Sequence, residues 1–194
     1  MATTLLDITT MIKLDHENVR DLFQRFKSAT SKEEKLPIVN TLIREMAVHS
    51  DAEEVSLYNE FAVLGLAETA EHNKEEHSEV KKLVYEADNA SIDDPNFDDK
   101  MTIAVTTFLE HSEEEENEQL PQMAAQITRE QSDAIAREFL KARMLVPTRA
   151  HPDVPQTGGI VQQAIGVHAK IHDKLSETLA GRKFVDVKYA HPEL

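Results

Sequence analysis

The sequence predicts an all-α protein, an up-down-up-down four-helix bundle with additional C-terminal helices. The chain is rich in Glu, Lys, Leu and Ala and has only five glycines and no tryptophan, a composition that favours helices over sheets. Apolar residues recur at alternating spacings of three and four, the period of an amphipathic helix. The breaks between these segments are short, as expected for antiparallel neighbours in a bundle.

The first two helices are predicted from their apolar rows and their end signals. The first spans about residues 7–29. The second opens at Ser31 and Glu34, which have the spacing of a capping box. It continues to about Val63, and Gly65 is its C-terminal stop.

Three further segments have helical patterns. The third helix is predicted over about residues 67–88, and the fourth over about residues 97–119. Pro121 is expected to kink or end the fourth helix, because proline lacks the N–H that a helix interior needs. A second capping box opens another helix over about residues 128–144.

Composition changes at Val146 and divides the chain into two regions. Residues 1–145 are predicted to form the helical bundle. The stretch VPTRAHPDVPQTGG, with three prolines and two glycines, is typical of an extended linker. An amphipathic helix over about residues 160–180 follows and is expected to pack on the bundle. Residues 146–194 are therefore a proline-rich linker plus a C-terminal helix.

Charge and composition exclude several classes of partner. The formal net charge is −15, so we expect neither nucleic acid nor an anionic membrane surface as a partner. The absence of cysteine excludes disulfides, thiolate catalysis and iron–sulfur clusters. The chain shows no secretory signal and no run of the roughly 20 apolar residues that a membrane helix needs. We expect a cytoplasmic protein, either a monomer or a weak dimer.

The buried rows predicted for the four bundle helices contain histidines and glutamates. Each row carries one histidine, and two rows carry a glutamate four positions later: His16, His49, Glu53, His77, His111 and Glu115. The H-x3-E spacing puts both side chains of a pair on one helix face. Burying these groups without partners would cost on the order of several kcal/mol per ion. Because a pair of metal ions satisfies all six groups, the pattern predicts a metal site.

This prediction depends on the whole set, because a lone histidine in an apolar row is more often a hydrogen-bonded core residue. Histidine and carboxylate ligands with open positions suit iron, although manganese or zinc can occupy such a site. Glu116 is a reserve ligand if the fourth helix is rotated.

At these residues the chain resembles the hemerythrin-like, or HHE cation-binding, family. The matching segments fall in order and spacing within about residues 7–145 and are DHENVRDLF, VHSDAEEVSLY, EEHSEV and EHSEEEENEQLP. The resemblance implies two iron ions bridged by two carboxylates and by an oxo or hydroxo group. It also implies a role for each ligand: bridging carboxylates Glu53 and Glu115, one iron with His16 and His49, the other with His77 and His111.

One position departs from the oxygen-carrying members of the family. They have a second histidine one turn before the counterpart of His77, where this chain has Asn73. An amide is a poor ligand, so one iron is expected to keep an open position. The adjacent His72 points to another face of an ideal helix and would ligate only through a distortion such as a π-bulge. The change favours chemistry with peroxide, nitric oxide or dioxygen over dedicated oxygen transport.

Other residues are given structural roles. His168 and His172 have the spacing of a metal-binding pair, but we expect them at the rim of the bundle. His151 and His191 stand beside prolines in loop-like sequence and are predicted to be exposed. Tyr58 is predicted to pack in the core or beside the site.

Three functions remain open at this point. The first is a non-haem di-iron protein that binds dioxygen or a related small ligand as a sensor, scavenger or iron-binding protein. Peroxidase-like, catalase-like or nitric oxide-reducing activity is compatible with it. The second is a ferritin-like oxidase, although those bundles use Glu-x-x-His where this chain has H-x3-E. The third is a metal-free helical module whose last helix binds a partner.

Overall fold

The computed structural model describes residues 4–152 and 159–193, and their side chains except those of residues 159–165 and 168. Within these ranges the chain forms eight α-helices and one π-helical turn. Their bounds are α1 Ile8–Ser28, α2 Lys32–Val55, α3 Leu57–Val63, α4 Ala67–Asn89, α5 Phe97–Glu114, the π-helical turn Glu115–Gln119, α6 Leu120–Ala124, α7 Arg129–Leu145 and α8 Gly159–Leu179. The predicted all-α class is confirmed.

Four long helices, α1, α2, α4 and α5, form the bundle. Both α1 and α4 pack against α2 and α5, which closes the ring. One apolar cluster joins Ile8, at the start of α1, to Val55, at the end of α2. A second cluster joins Phe26, at the end of α1, to Ile38, near the start of α2. Helices α1 and α2 therefore run antiparallel, and so do α4 and α5, since Ala87 near the end of α4 shares the second cluster with Phe97 at the start of α5. This is the predicted up-down-up-down arrangement.

A layer of buried polar residues separates the two apolar clusters. On α1, Ile12 belongs to one cluster and Val19 to the other, and the fully buried His16 lies between them. The other bundle helices repeat this pattern at His49, His77 and His111. Every long helix thus contributes a histidine to the middle of the bundle.

The second predicted helix is divided at Ser56, which the sequence analysis did not anticipate. The backbone of Ser56 leaves the helical region, with φ −124° and ψ −73°. Its hydroxyl donates to the carbonyl four residues earlier, a bond that competes with the helix ladder. The predicted stop at Gly65 is confirmed: this residue has φ +78°, and the N–H of Leu66 donates to the carbonyl of Phe61, as in a Schellman motif.

The fourth predicted helix does not end at residue 119 but changes its winding. After α5, the N–H of Leu120 donates to the carbonyl of Glu115, a π-type bond to the fifth residue back. The helix then continues as α6 to Ala124. Pro121 is tolerated because it occupies the first turn of α6, where a missing N–H has little effect.

The C-terminal helices pack against the outside of the bundle. Helix α7 contacts α1 and α2, and α8 contacts α7 and α2. The predicted linker lies partly outside the described residues. None of the helices in the described ranges is long and apolar enough to cross a membrane.

Near the C-terminal end of the described chain, residues 183–191 run along α1 and α2. The side chain of Asn18 donates to the carbonyl of Tyr189 and accepts from its N–H, both at 2.9 Å. The side chain of Asn40 donates to the carbonyl of Lys183. Val185 and Val187 also pack against the second apolar cluster, so both backbone and side-chain contacts hold this segment on the bundle.

The capping box at the start of α7 provides a test of local stability. The Thr128 hydroxyl accepts from the N–H of Gln131, and the Gln131 side chain accepts from the N–H of Thr128. We expect Thr128→Ala to lower the free energy of unfolding by about 1 kcal/mol, measured by chemical denaturation. Thr128→Ser keeps the hydroxyl and is the control; equal losses in both variants would contradict the capping role.

Candidate metal centre

The six side chains predicted as ligands lie together in the buried polar layer. They form two overlapping groups. The first contains His16, His49, Glu53 and Glu115, and the second contains Glu53, His77 and His111. Within each group, one ligand atom from every residue lies within 4.8 Å of those of the other members. All six are buried. Glu53 belongs to both groups, so they make one continuous site.

The ligands meet in two ways, along a single helix and across neighbouring helices. The Nε2 of His49 lies 3.4 Å from Oε2 of Glu53, one turn later on the same face of α2. On the neighbouring side of the bundle, Glu115 begins the π-helical turn that follows α5. Its Oε2 lies 3.5 Å from Nε2 of His16, which belongs to α1. The site is therefore assembled across helices as well as along them.

Each histidine has a carboxylate beside its outer nitrogen, Nδ1. The carboxylate partners and distances are Glu116 at 2.7 Å for His16, Asp15 at 3.1 Å for His49, Glu76 at 2.7 Å for His111 and Glu54 at 3.4 Å for His77. A proton held on Nδ1 by such a partner leaves Nε2 as an acceptor that faces the centre. These carboxylates were missed as partners, although Asp15, Glu54, Glu76 and Glu116 each adjoin a predicted ligand in the sequence.

Three of these outer carboxylates are paired in turn with a lysine or an arginine. The pairs are Asp15 with Arg143, Glu54 with Lys81 at 2.7 Å, and Glu116 with Arg20 at 2.9 Å. Burial opposes ionisation of Glu116, but the hydrogen bond with His16 and the Arg20 charge together lower its pKa to about 2. Glu116 therefore stays charged, and the three paired carboxylates hold the imidazoles in one orientation.

The inward-facing nitrogens are spaced as ligands of a common ion would be. Nε2 of His16 lies 3.1 Å from Nε2 of His49, and Nε2 of His77 lies 3.0 Å from Nε2 of His111. Two lone pairs facing each other at this distance repel unless a positive charge lies nearby. Neighbouring ligands about 2.1 Å from a metal ion are about 3.0 Å apart when they meet it at a right angle. The spacing fits a cation at each pair.

Three carboxylate oxygens in the centre lack ordinary partners. Among the described residues, no amide, hydroxyl or imidazole donor reaches Oε1 of Glu53 or either side-chain oxygen of Glu115, and the two carboxyl groups lie within hydrogen-bonding reach of each other. A buried oxygen left unsatisfied costs about 1–3 kcal/mol, and more when it is charged. A bound cation supplies the missing interaction, so these residues fit a metal site.

Burial shifts the titration of the centre toward neutral groups. Burial, helped by the Glu115 charge, raises the pKa of Glu53 well above its ordinary value. Burial also raises the pKa of Glu115, although His111 opposes this. It lowers the pKa of His49 to about 3 and that of His77 well below its ordinary value. His49 and His77 are thus held in the neutral form that binds metals. At His111 burial acts in the same direction, but the hydrogen bond with Glu76 and the Glu115 charge outweigh it and raise the pKa.

Tyr58 lies beside the centre, as predicted. Its hydroxyl donates to Oε2 of Glu53 at 3.1 Å and lies 3.0 Å from Nε2 of His77. On an uninterrupted helix Tyr58 would face away from His49, so the break at Ser56 gives it this position. Burial and the Glu53 charge raise the pKa of Tyr58 well above its ordinary value, so its proton stays on the phenol oxygen.

The prediction that His151 and His191 are exposed is wrong. The Nε2 of His191 lies 2.7 Å from the buried Asp15, because the C-terminal segment returns over α1. His151 lies 2.9 Å from Asp173 on α8. His172 is exposed, in keeping with a place at the rim, and the side chain of His168 is outside the described residues.

Asn73 and His72 lie on different sides of α4. Asn73 is fully buried, and its side-chain amide donates to Oε1 of Gln119 at 2.6 Å. Its own oxygen, Oδ1, has no partner within the described part of the chain. His72 is 51% exposed and does not join the buried groups. The π-type distortion that would have turned it inward occurs instead after α5.

A four-helix bundle with clustered histidines and glutamates at its middle defines a helical metal-binding protein. Residues 7–123 match the hemerythrin HHE cation binding domain, and the chain belongs to this family. It is similar to an uncharacterized hemerythrin-like protein of Schizosaccharomyces pombe, at 28% identity over 89% of this chain and 86% of that protein.

A second relative has a different name. The chain is 24% identical to a protein of Nostoc named DNA nickase, over 74% of this chain and 41% of that protein. No solved structure gives a significant match.

The unpaired oxygens of the centre predict how the metal-free protein responds to Glu53→Gln. We expect this change to raise its free energy of unfolding at pH 7 by about 1 kcal/mol or more, since the cost of burying or protonating this carboxylate on folding is removed. The folded-state pKa of Glu53 lies above its ordinary value of 4.5, so its ionisation opposes folding increasingly as the pH rises above 4.5. The gain should therefore disappear as the pH falls toward 4.5.

Chemical denaturation with a chelator present, at pH 7 and at lower pH, measures this effect. Glu79→Gln, on the exposed face of α4, is the matched control and should change little. A gain that is equal in both variants, or that does not vary with pH, would show that the Glu53 charge is not the cause.

Proposed function

We propose that this protein is a non-haem di-iron protein that binds a small ligand such as dioxygen, peroxide or nitric oxide. One observation carries the proposal: two buried groups of ligand atoms share Glu53 and contain carboxylate oxygens without partners among the described residues. An ordinary hydrogen-bonded core leaves few such atoms, and three carboxylate oxygens together in one buried layer are not expected of it. Membership of a cation-binding family supports the same interpretation.

Each histidine pair would serve one ion. His16 and His49 would hold the first, and His77 and His111 the second, as the close approach of their Nε2 atoms supports. Glu53 would be shared, because it is a member of both groups. Glu115 would be the second shared carboxylate, since two oxygens of this residue are available.

Two iron ions held by these residues would supply redox chemistry with a small ligand. The protein itself would hold the ions, shield them from water and select small ligands. Apolar clusters above and below the layer exclude water, and the ring of Phe108 packs edge-on against His16 and His49, at 6.0 and 5.2 Å between centroids. Tyr58 keeps a proton beside Glu53 and His77. Such a buried site suits small ligands.

The presence of Asn73 favours the binding of a small molecule over simple storage of two iron ions whose coordination positions are all filled. Its amide nitrogen donates to Gln119, and its oxygen Oδ1 is a weaker ligand for iron than an imidazole nitrogen would be. The ion held by His77 and His111 would therefore keep a position for an exogenous ligand. Whether the outcome is sensing, scavenging or turnover depends on the ligand supplied.

The competing functions are less well supported. A ferritin-like oxidase would need Glu-x-x-His pairs, whereas α2 and α5 carry histidine before glutamate. A metal-free interaction module would not explain the unpaired oxygens. A nucleic-acid role, which the name of the Nostoc relative raises, is opposed by the net charge of −15.

Iron content tests the proposal directly. We expect wild-type protein to hold two irons per chain and His111→Ala to lose at least one, with a lower midpoint of thermal unfolding, because a ligand is removed. Metal analysis and visible absorption measure the loss. His172→Ala, an exposed histidine, is the control. Substoichiometric iron in the wild type, with stability unchanged by a chelator, would refute the proposal.

Asn73→His tests the open position. The new imidazole would add a ligand one turn before His77 and compete with a small anion for the same ion. We expect azide binding, followed by the optical spectrum, to weaken about tenfold or more, the effect of about 1.4 kcal/mol. Asn73→Ala removes the amide without adding a ligand, and equal azide affinity in the two variants would contradict the assignment.

A further inference from the structure

A third group of ligand-type side chains lies at the surface beside the buried centre. The Nε2 of His72 lies 3.5 Å from Oε1 of Glu76 and 3.6 Å from Oε1 of Glu114, and one ligand atom from each residue lies within 4.8 Å of the others. His72 and Glu76 are one turn apart on α4, and Glu114 ends α5. Two helices thus present an imidazole and two carboxylates to one point. We call these three residues the outer group.

Glu76 differs from the other carboxylates that hold the histidines of the centre. Each of the other three pairs with a lysine or an arginine: Asp15 with Arg143, Glu54 with Lys81, and Glu116 with Arg20. In the described part of the chain, neither Glu76 nor Glu114 forms an ion pair with a lysine or an arginine. A lysine or an arginine supplies the positive charge beside the other three carboxylates. Beside Glu76 this place is taken by His72 and by any cation that His72 binds.

The outer group is connected to the centre by two sets of contacts. Glu76 faces His72 with Oε1, and its Oε2 lies 2.7 Å from Nδ1 of His111. Gln119 donates to Oε1 of Glu114 at 3.4 Å and accepts from Asn73 at 2.6 Å. Asn73 is fully buried and carries the unpaired oxygen Oδ1. Oxygen and nitrogen atoms of these side chains thus form a continuous series from the surface to the buried polar layer.

We propose that the outer group is a divalent-cation site through which ferrous iron reaches the buried centre. This rests on the proposed function, since it assumes that the centre takes up iron. The outer ion would be held by three protein ligands and completed by water, because His72 and Glu114 are 51% and 43% exposed. Incomplete ligation and exposure make such an ion exchangeable, as an entry site requires.

Selectivity for cations follows from the charges present. Two carboxylates attract a divalent ion, and the imidazole of His72 adds a nitrogen ligand that favours iron over calcium or magnesium. The acidic surface would raise the local concentration of cations further. An ion held here is separated from His111 by a single carboxylate, that of Glu76.

The test is the rate of loading. Metal-free protein is mixed anaerobically with ferrous iron, free iron is removed with a chelator at set times, and bound iron is measured. We expect His72→Ala/Glu114→Gln to load about 10-fold more slowly than wild type, because the electrostatic and ligand contacts at the entrance are lost. The final content should be unchanged, because neither residue belongs to the centre.

Glu75→Gln/Glu113→Gln is the matched control, because both residues are exposed neighbours on the same two helices. Loading of the outer-group variant at the control's rate would overturn the entry site while leaving the proposed function intact. Failure of the wild type to take up iron would overturn both.

A second measurement detects the outer ion itself. Manganese(II) is titrated into protein that already holds two irons, and free manganese is followed by its magnetic resonance signal. We expect one additional weak site in wild type and in the control variant, and its loss in His72→Ala/Glu114→Gln. Equal binding by all three proteins would overturn the assignment of these residues.

Discussion

Carboxylates and imidazoles buried midway along a helical bundle have no water to interact with, and the arrangement around them follows from that constraint. Each central histidine turns its outer nitrogen to a carboxylate, and most of these carboxylates turn to a lysine or an arginine. From the centre outward, an imidazole, a carboxylate and in three cases a cationic side chain therefore follow one another. The inward-facing atoms have no such compensation, which is why they fit a cation and an ordinary core does not explain them.

The same constraint explains where the helices are irregular. The break at Ser56 and the π-helical turn Glu115–Gln119 both lie beside the polar layer, whereas α1 and α4 pass through it without interruption. The break brings the hydroxyl of Tyr58 to Glu53, and the π-helical turn presents both Glu115 and Gln119 to the interior. Irregular winding at these points is the local cost of placing polar groups that a regular helix would point elsewhere.

The sequence predicts the bundle and the six central side chains because both depend on a local period. His16 or His111 can be placed in a buried row by counting positions in threes and fours. The Ser56 break and the π-helical turn could not be predicted in this way, since tertiary contacts decide them. The position of His191 depends on a contact with Asp15 across 176 positions. The outer carboxylates are an intermediate case: they adjoin ligands in the sequence, but only the packing of helices shows which one faces each imidazole.

The histidines held by outer carboxylates have a consequence for the identity of the metal. Imidazoles already fixed in place require little rearrangement on binding, so such a centre accepts several divalent metals and ranks them by their intrinsic affinity for nitrogen and oxygen. In that ranking copper and zinc stand above ferrous iron. The ion found in the protein would then reflect which metals are free where it folds, and the same chain produced in a zinc-rich host would emerge with zinc.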